Sequence, residues 1–204
     1  DLTVAEMRQI AQSSFQSFPW RMKTVRTTLV NGDTYTATIE AQSSERIHGV
    51  IEMPFNPGSL VTDSILIKPG FFLKAVSGPP DVLKQLGLTQ GQWLKLQAGQ
   101  PGMTLADELE RSADTAQLMS NFGFLIEDRL LPNGYKFAGT QQLGATSSGV
   151  YEARISANKG DRTLRVWVGT ADKRIYKIQS QSSVSNLEAT LEYDPAIKIE
   201  APTP

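Results

Sequence analysis

The sequence contains no cysteine among its 204 residues. Disulfide bonds, thiolate metal sites and a cysteine nucleophile are therefore excluded. The redox state of the compartment stays open, because a chain without thiols is compatible with an oxidising or a reducing environment.

Histidine is nearly as scarce, since His48 in the segment RIHGVIEM is the only one. Nucleophilic triads and many metal sites use imidazole as base or ligand, and no HExxH or GxSxG motif accompanies His48. The segment GLTQGQW also lacks the lysine and glycine spacing of a phosphate-binding loop. We therefore expect no catalytic residue, no metal and no cofactor, and we interpret the protein as a non-enzyme with His48 at a surface or half-buried strand position.

The chain has no excess of charge of either sign and no long apolar run. Lys and Arg total 20 and Asp and Glu total 21, without blocks, so no nucleic-acid partner is expected. No apolar run approaches the roughly 18 to 20 residues of a membrane-spanning helix, and the first residues, DLTVAEMRQI, do not resemble a secretion signal. A chain beginning at Asp1 is also compatible with the mature part of an exported precursor.

The sequence predicts few helices. Thr3 and Glu6 have the spacing of a capping box, Thr104 can cap a longer helix, and Gly123 can end it. Three helices are predicted in all, over about residues 3–17, 79–87 and 104–123.

Most of the remaining sequence is typical of strands and turns. The pair Asn31-Gly32, between segments rich in Thr, Val and Tyr, is a strong hairpin signal. We count about ten strands, in the order helix, strands, helices, strands, which predicts an α+β fold with a largely antiparallel sheet. Strands twist by roughly 20 to 25 degrees relative to their neighbours, so a sheet this wide is expected to curl into a partial or closed barrel with a concave face. Residues 1–204 are predicted to form a single domain.

The apolar residues are the candidates for a binding site. A wide sheet with few helices does not fill its concavity with side chains, and Met suits a surface that adapts to varied ligands. For any one residue an ordinary core position is the alternative. The candidates for lining an apolar cavity are Met22, Val25, Ile39, Val50, Met53, Ile65, Phe71, Phe72, Trp93, Met119, Phe122, Trp167, Tyr176 and Tyr193.

The hairpin RVWVGTADKRIYKIQ, residues 165–179, leaves one placement open. Trp167 and Tyr176 either line the cavity or shield the outside of the sheet as a cross-strand aromatic pair. Alternation along the strands does not decide between them, because a β-bulge would reverse every later assignment.

Several segments resemble one protein family. They are the first helix followed by WRMKTVRTTL, the stretch SILIKPGFFLKAV before GQWLKLQ, the mid-chain helix, and the ending RVWVGTADKRIYKIQSQ then ATLEYDPAIKIEAP. With them the chain resembles the bacterial envelope lipoprotein-carrier superfamily, the LolA and LolB kind, and especially the mycobacterial-type lipid-binding lipoproteins. The resemblance implies an unclosed half-barrel, a strongly curved antiparallel sheet with helices covering its concave face and an apolar cavity between them. Many members are anchored through a lipidated N-terminal cysteine, which this sequence lacks.

The resemblance and the composition together favour a lipid-binding protein. We expect non-enzymatic binding or transport of a lipid, a lipoprotein acyl chain or a similar apolar ligand, in the periplasm or cell envelope, with a lipid anchor on a preceding segment as one arrangement. The expected partners are a lipid or acyl chain, with a membrane surface or another envelope protein as further partners. The alternative is an envelope sensor or protein-interaction domain that uses the same half-barrel with little or no ligand. The segment from Gly78 to Gly102, rich in Gly and Pro, is the predicted hinge or lid.

Overall fold

The computed structural model describes residues 1–56, 58–97, 103–127, 129–156 and 161–202. The helices are α1 (Val4–Gln16), α2 (Pro80–Gln85), α3 (Met103–Ala113) and α4 (Thr115–Asn121), followed by a 3₁₀ turn at Gly123–Leu125. The strands are β1 (Trp20–Thr28), β2 (Thr34–Ser43), β3 (Arg46–Pro54), β4 (Ser59–Ile67), β5 (Gly70–Ser77), β6 (Trp93–Leu96), β7 (Lys136–Leu143), β8 (Thr146–Ile155), β9 (Arg162–Gly169), β10 (Ile175–Ser182) and β11 (Ser185–Glu192). None of the helices in these residues has the length and apolar character needed to cross a membrane.

The strands of the described chain belong to one sheet, in the order β6-β5-β4-β3-β2-β1-β11-β10-β9-β8-β7. Neighbours from β2 to β6 and from β7 to β11 pair antiparallel. Strands β6 and β7 end the order and do not pair with each other, so the sheet is not closed. The predicted fold class, α+β with an unclosed, largely antiparallel sheet of the half-barrel class, is confirmed, with eleven strands where about ten were expected.

Residue contacts cluster in two compact units. Unit 1 comprises Asp1–Ser17, Thr24–Asp33 and Thr115–Glu192, and therefore holds α1, α4 and β7 to β11. Unit 2 comprises Phe18–Lys23, Thr34–Asp114 and Tyr193–Pro204, and holds α2, α3 and β2 to β6. The single domain over residues 1–204 stays a prediction.

Local signals of the sequence place several element boundaries correctly. The hydroxyl of Thr3 accepts a hydrogen bond from the Glu6 backbone at 3.2 Å, and the Glu6 carboxylate accepts one from the Thr3 backbone at 2.7 Å. This capping box satisfies two of the backbone N–H groups that a helix start leaves without partners. Pro80 begins α2, and Gly87, at a φ of 66°, follows its end, as predicted.

The long mid-chain helix was predicted wrongly. It is divided at Asp114 into α3 and α4, Thr104 lies inside α3 rather than at its cap, and Gly123 begins a 3₁₀ turn. Asp has low helix propensity because its carboxylate competes for nearby backbone donors, and it is a preferred residue immediately before a helix. Asp114 therefore separates two helices where a hydrophobic pattern alone indicates one.

Candidate functional site

One face of strands β2 to β6 in unit 2 is apolar and buried. Its residues form three cross-strand rows, Ala41-Ile47-Leu66-Phe71-Leu96, Ile39-Gly49-Ser64-Leu73-Leu94 and Ala37-Ile51-Thr62-Ala75. Most of these side chains are buried, and many are small. Alternation along each strand directs these residues to one side and their neighbours to the other. We call this surface the α3 face, since α3 contacts β2, β3 and β4.

Helix α3 approaches this face closely at Gly49. A methyl group added at Gly49 would lie 2.6 Å from Cδ1 of Leu109 and 3.1 Å from Cδ1 of Ile39. The hydroxyl of Ser64 donates to the carbonyl oxygen of Gly49 at 3.0 Å, so this buried polar group is satisfied within the sheet. The absence of a side chain at Gly49 thus leaves the space that Leu109 occupies.

An ion pair joins α3 to the turn between β4 and β5. Nζ of Lys68 lies 2.5 Å from Oε1 of Glu110, and both side chains are about two-fifths exposed, at 40% and 44%. The hydrogen bond to Glu110 raises the pKa of Lys68. The ion pair between Lys68 and Glu110 is therefore a surface contact that water can replace.

The predicted lining residues of unit 2 lie on both faces of its strands. Ile39 and Phe71 are buried on the α3 face, Met53 shares that face and is half-buried, and Met22 is buried on the side of β1 away from Arg21. The other face carries Val50, Ile65, Phe72 and Trp93, all half-buried, and Tyr193 lies half-buried after β11. That these residues line one cavity stays a prediction.

The face opposite α3 carries a ladder of charged side chains, which we call the His48 face. Nδ1 of His48 lies 3.1 Å from Oε2 of Glu40, and its Nε2 lies 2.8 Å from Oδ1 of Asp63. The ladder continues outward on both sides. Nε of Arg21 donates to Oε1 of Glu40 at 2.7 Å, and Nζ of Lys74 lies 2.8 Å from Oδ2 of Asp63.

These contacts shift the pKa values of His48, Asp63 and Glu40. The hydrogen bond to Asp63 raises the pKa of His48 against the opposing effect of burial, and the one to Glu40 adds to it. Burial acts to raise the pKa of Asp63, but the hydrogen bonds from His48 and Lys74 outweigh it and lower that pKa. Burial opposes the lowering of the Glu40 pKa in the same way, and the bonds from His48 and Arg21 prevail.

Apart from the alternation of each strand, no pattern in the sequence indicates this ladder. Glu40, His48 and Asp63 come together because β2, β3 and β4 are neighbours in a fixed register, with Glu40 directly opposite His48. The described residues contain no cluster of three or more His, Asp or Glu side chains able to hold a metal ion. The half-buried strand position predicted for His48 is confirmed, at 29% side-chain exposure.

In unit 1 a β-bulge decides where the aromatic residues of the β9-β10 hairpin lie. Val166 pairs with Ile178 on a buried face, and Trp167 pairs with Lys177 on the other, with the register shifting between Ile175 and Lys177. We call these surfaces the Val166 face and the Trp167 face. The indole N–H of Trp167 donates to Oε1 of Gln141 at 2.7 Å, and Nζ of Lys177 lies 5.2 Å from the ring centroid.

Trp167 therefore lies on the face opposite Val166, where it is itself buried, at 5% exposure, and its cross-strand partner is Lys177 rather than Tyr176. That Trp167 lines a ligand cavity stays a prediction. Tyr176 lies at the bulge, and its hydroxyl donates to Oδ2 of Asp172 at 2.8 Å. Among the other predicted lining residues, Phe122 is buried against Phe15 with ring centroids 5.7 Å apart. Met119 and Val25 are half-buried.

A cavity of about 370 Å³ also lies in unit 1, between the segment before β7 and the strands β8 and β9. Its lining includes Leu131, Asn133, Lys136, Glu152, Arg154 and Thr163. None of these residues was predicted from the sequence as part of a site, since isolated charged residues near strand ends are most simply solvated.

Comparison with known proteins shows the fold. No protein-family model matches the sequence, and no curated protein matches it. The crystal structure of LprF from Mycobacterium bovis is similar at a TM-score of 0.54 and 11% identity, over 98% of this chain and 98% of that chain. The crystal structure of the Mycobacterium tuberculosis lipoprotein LppX is similar at a TM-score of 0.53 and 12% identity, over 97% of each chain. The expected resemblance is thereby confirmed as a likeness of fold to LprF and to the lipoprotein LppX over nearly the whole chain.

Proposed function

We propose that the chain binds and carries a lipid, a lipoprotein acyl chain or a similar long apolar ligand in the bacterial cell envelope, without catalysing a reaction. The observation that carries the proposal is the α3 face, an apolar surface with small residues at its centre that one amphipathic helix covers through Leu109. The likeness of fold to LppX, which is a lipoprotein, supports a place in the cell envelope.

The α3 face provides the chemistry that an acyl chain needs. Ile39, Ile47, Leu73 and Phe71 supply apolar contact, and the hydroxyl of Ser64 is already bound to the sheet, so it does not need a partner from the ligand. Each methylene removed from water contributes roughly 0.8 kcal/mol, and an acyl chain of about a dozen carbons gains several kcal/mol after ordering costs. Burial alone can therefore hold the ligand.

Uptake and release follow from the way α3 is attached. A ligand reaches the α3 face when α3 moves away from Gly49, which requires the exposed Lys68-Glu110 pair to open. The predicted hinge from Gly78 to Gly102 precedes α3 in the chain, although its residues 98–102 lie outside the described part. Helix α3 thus acts as the movable cover of the site.

The first experiment is lipid extraction from protein purified from its native host, followed by mass spectrometry of the extract and native mass spectrometry of the protein. Co-purified acyl lipid at a defined stoichiometry is expected. A protein of clean apo mass, which also fails to bind acyl lipids in vitro, would contradict the proposal and favour the protein-interaction alternative.

A pair of variants tests the location of the site with effects of opposite sign. Leu109→Ala removes the side chain above Gly49 and is expected to shift bound lipid toward longer acyl chains. Gly49→Val fills the same space and is expected to shift bound lipid toward shorter chains or to abolish binding. Val61→Ala truncates an aliphatic residue of the His48 face that is not among the predicted lining residues, and it is the control. Equal lipid profiles in all three variants would place the ligand elsewhere.

A further inference from the structure

The cavity of unit 1 is bounded by a segment that the rest of the unit holds in place. Leu2 and Tyr135 form an antiparallel bridge, with the Leu2 N–H donating to Tyr135 at 2.9 Å and the Tyr135 N–H to Leu2 at 2.8 Å. Gly134 has a φ of 59°, and a Cβ there would lie 2.6 Å from the carbonyl oxygen of Leu2. The backbone beside Asn133 therefore forms a fixed wall, and the cavity of about 370 Å³ falls in the size range of small-molecule sites, roughly 300 to 1,000 Å³.

The floor of the cavity is the Trp167 face of β7, β8 and β9. Lys136, Glu152 and Arg165 form one cross-strand row, and Arg154 lies two residues beyond Glu152 on the same face, opposite Thr163. Arg165 is a neighbour of the cavity rather than one of its lining residues, which contain two cations, Lys136 and Arg154, and one carboxylate, Glu152. The lining therefore has an excess of one positive charge, although the chain as a whole has a net charge of −1.

Part of this positive charge has no counterion in the described residues. Glu152 is bound by Nε of Arg165 at 2.5 Å. Lys136 has Asp1 at 3.2 Å, but both side chains are mostly exposed, at 70% and 63%, so water weakens that pair. Arg154 makes no ion pair or hydrogen bond with any side chain of the described residues.

Neutral donors complete the lining. The side-chain amide of Asn133 and the hydroxyl of Thr163 border the cavity, and within the described residues neither has a hydrogen-bond partner. A planar guanidinium binds two oxygens of one anion at once, and an ammonium adds a second charge. Arg154, Lys136, Asn133 and Thr163 together suit a tetrahedral oxyanion attached to a small polar group.

We propose that this cavity binds a phosphate ester, with Arg154 and Lys136 neutralising the phosphate and Asn133 and Thr163 donating to its oxygens. The same chemistry is presented by a soluble sugar or glycerol phosphate and by a phospholipid headgroup. All residues of this site belong to unit 1, whereas the α3 face belongs to unit 2, so the two proposals stand or fall separately.

Binding to the full chain is measured in two ways. Calorimetric titration uses sn-glycerol 3-phosphate, and vesicle flotation uses phosphatidylcholine vesicles that contain or lack phosphatidylglycerol. Arg154→Gln is expected to weaken binding about tenfold or more, since it removes a charge-assisted hydrogen bond. Glu152→Gln is expected to strengthen binding, because it removes the carboxylate of the floor and releases Arg165. Arg26→Gln, which removes an exposed cation of β1 in the same unit, is the charge-matched control and is expected to change nothing.

Each outcome decides the proposal. Binding of glycerol phosphate that Arg154→Gln weakens and Glu152→Gln strengthens supports a site for a soluble ester. Binding confined to phosphatidylglycerol vesicles, with the same response to the two variants, supports a lipid headgroup. The proposal is overturned if neither probe binds, or if Arg154→Gln and Arg26→Gln weaken binding equally, which would show general attraction to anions. Thermal unfolding of each variant verifies that the fold is retained.

Discussion

Nε2 of His48 in β3 lies 2.8 Å from Oδ1 of Asp63 in β4, across a strand pair whose register is fixed by the buried α3 face behind it. The other ring nitrogen of His48 contacts Glu40 in β2 at 3.1 Å. An ionised carboxylate only accepts hydrogen bonds, so a ring that bridges two carboxylates matches the imidazolium, which has two donors. The charged form of His48 is thus the one that joins three strands.

The first prediction is that this bridge makes the stability of the protein depend on pH. The pKa of His48 is raised above 6.5, so its contribution is complete below 6.5 and is lost as pH rises through the raised value. The pKa values of Glu40 and Asp63 are lowered below 4.5 and 3.8, so their contribution is complete above those values and is lost as pH falls. The bridge is therefore strongest between about pH 4.5 and 6.5.

His48→Gln tests this window, because glutamine is polar but does not titrate. Between about pH 4.5 and 6.5 we expect the variant to lose about 1 kcal/mol of unfolding free energy relative to the parent chain, with the difference shrinking at higher and lower pH. Urea denaturation over a series of pH values measures it. Since the chain has no other histidine, a difference that does not vary with pH would contradict the bridge.

Ser14 is predicted to join α1 to β10 in unit 1. Its buried hydroxyl accepts a hydrogen bond from the backbone N–H of Ile175 at 2.9 Å and donates to the Ile10 carbonyl at 2.6 Å. Ser14→Ala removes this buried hydrogen bond between the helix and the strand, and we expect a loss of about 1 to 2 kcal/mol. Ser13→Ala, at an exposed position of the same helix, is expected to be nearly neutral in the same denaturation experiment. An equal loss in both variants would attribute the effect to the helix rather than to the joint.

The Lys68-Glu110 pair is predicted to limit the opening of α3. Lys68→Glu replaces attraction by repulsion at a contact of 2.5 Å, so amide hydrogen exchange in α3 is expected to accelerate. The double variant Lys68→Glu with Glu110→Lys restores the pair in reverse and is expected to restore the protection of α3. Exchange in α1, which lies in unit 1, serves as the internal reference. If the double variant exchanges as fast as the single one, the pair does not hold the helix.

Tyr135 is predicted to stabilise unit 1 through its hydroxyl. The ring is fully buried, and the hydroxyl donates to the carbonyl oxygen of Leu125 at 2.7 Å. Burial raises the pKa of Tyr135 far above that of an exposed tyrosine, so the hydroxyl remains a donor at every physiological pH. Tyr135→Phe is expected to lower the unfolding free energy by about 1 kcal/mol.

Tyr151→Phe is the matched control for this change. Tyr151 is half-buried, its ring packs edge-on against Phe137, and within the described residues its hydroxyl has no partner. We expect no measurable change in thermal unfolding. Destabilisation by both substitutions to the same extent would show that the hydrogen bond to Leu125 contributes nothing specific.

Features with a local physical cause could be predicted from the sequence. The capping box of Thr3 and Glu6, the hairpin at Asn31-Gly32 and the start of α2 at Pro80 each depend on residues within a few positions of one another. The α+β class and the wide antiparallel sheet follow from the many alternating segments. The division of α3 from α4 was missed because a single Asp114 outweighed a continuous hydrophobic pattern.

The candidate site was less predictable, since its residues meet across strands. Alternation shows that Val50 and His48 share a side of β3, but it does not show which side α3 covers. Eight of the predicted lining residues lie in the strands of unit 2, namely Met22 and the seven from Ile39 to Trp93. Four of these eight lie on the face away from α3. The alternation of residues along a strand does not distinguish the two faces, because both faces carry apolar residues.

By itself the sequence determined the class of the protein: many strands, few helices, no thiol, a single histidine and no charge imbalance. The tertiary structure decided which side each strand presents, and with it the partners of His48, the place of Trp167 and the residues beneath α3. The reason is that register and bulges act on whole strands. One shift between Ile175 and Lys177 reverses the faces of the residues on either side of it, and such a shift arises from packing and strand pairing rather than from any local signal.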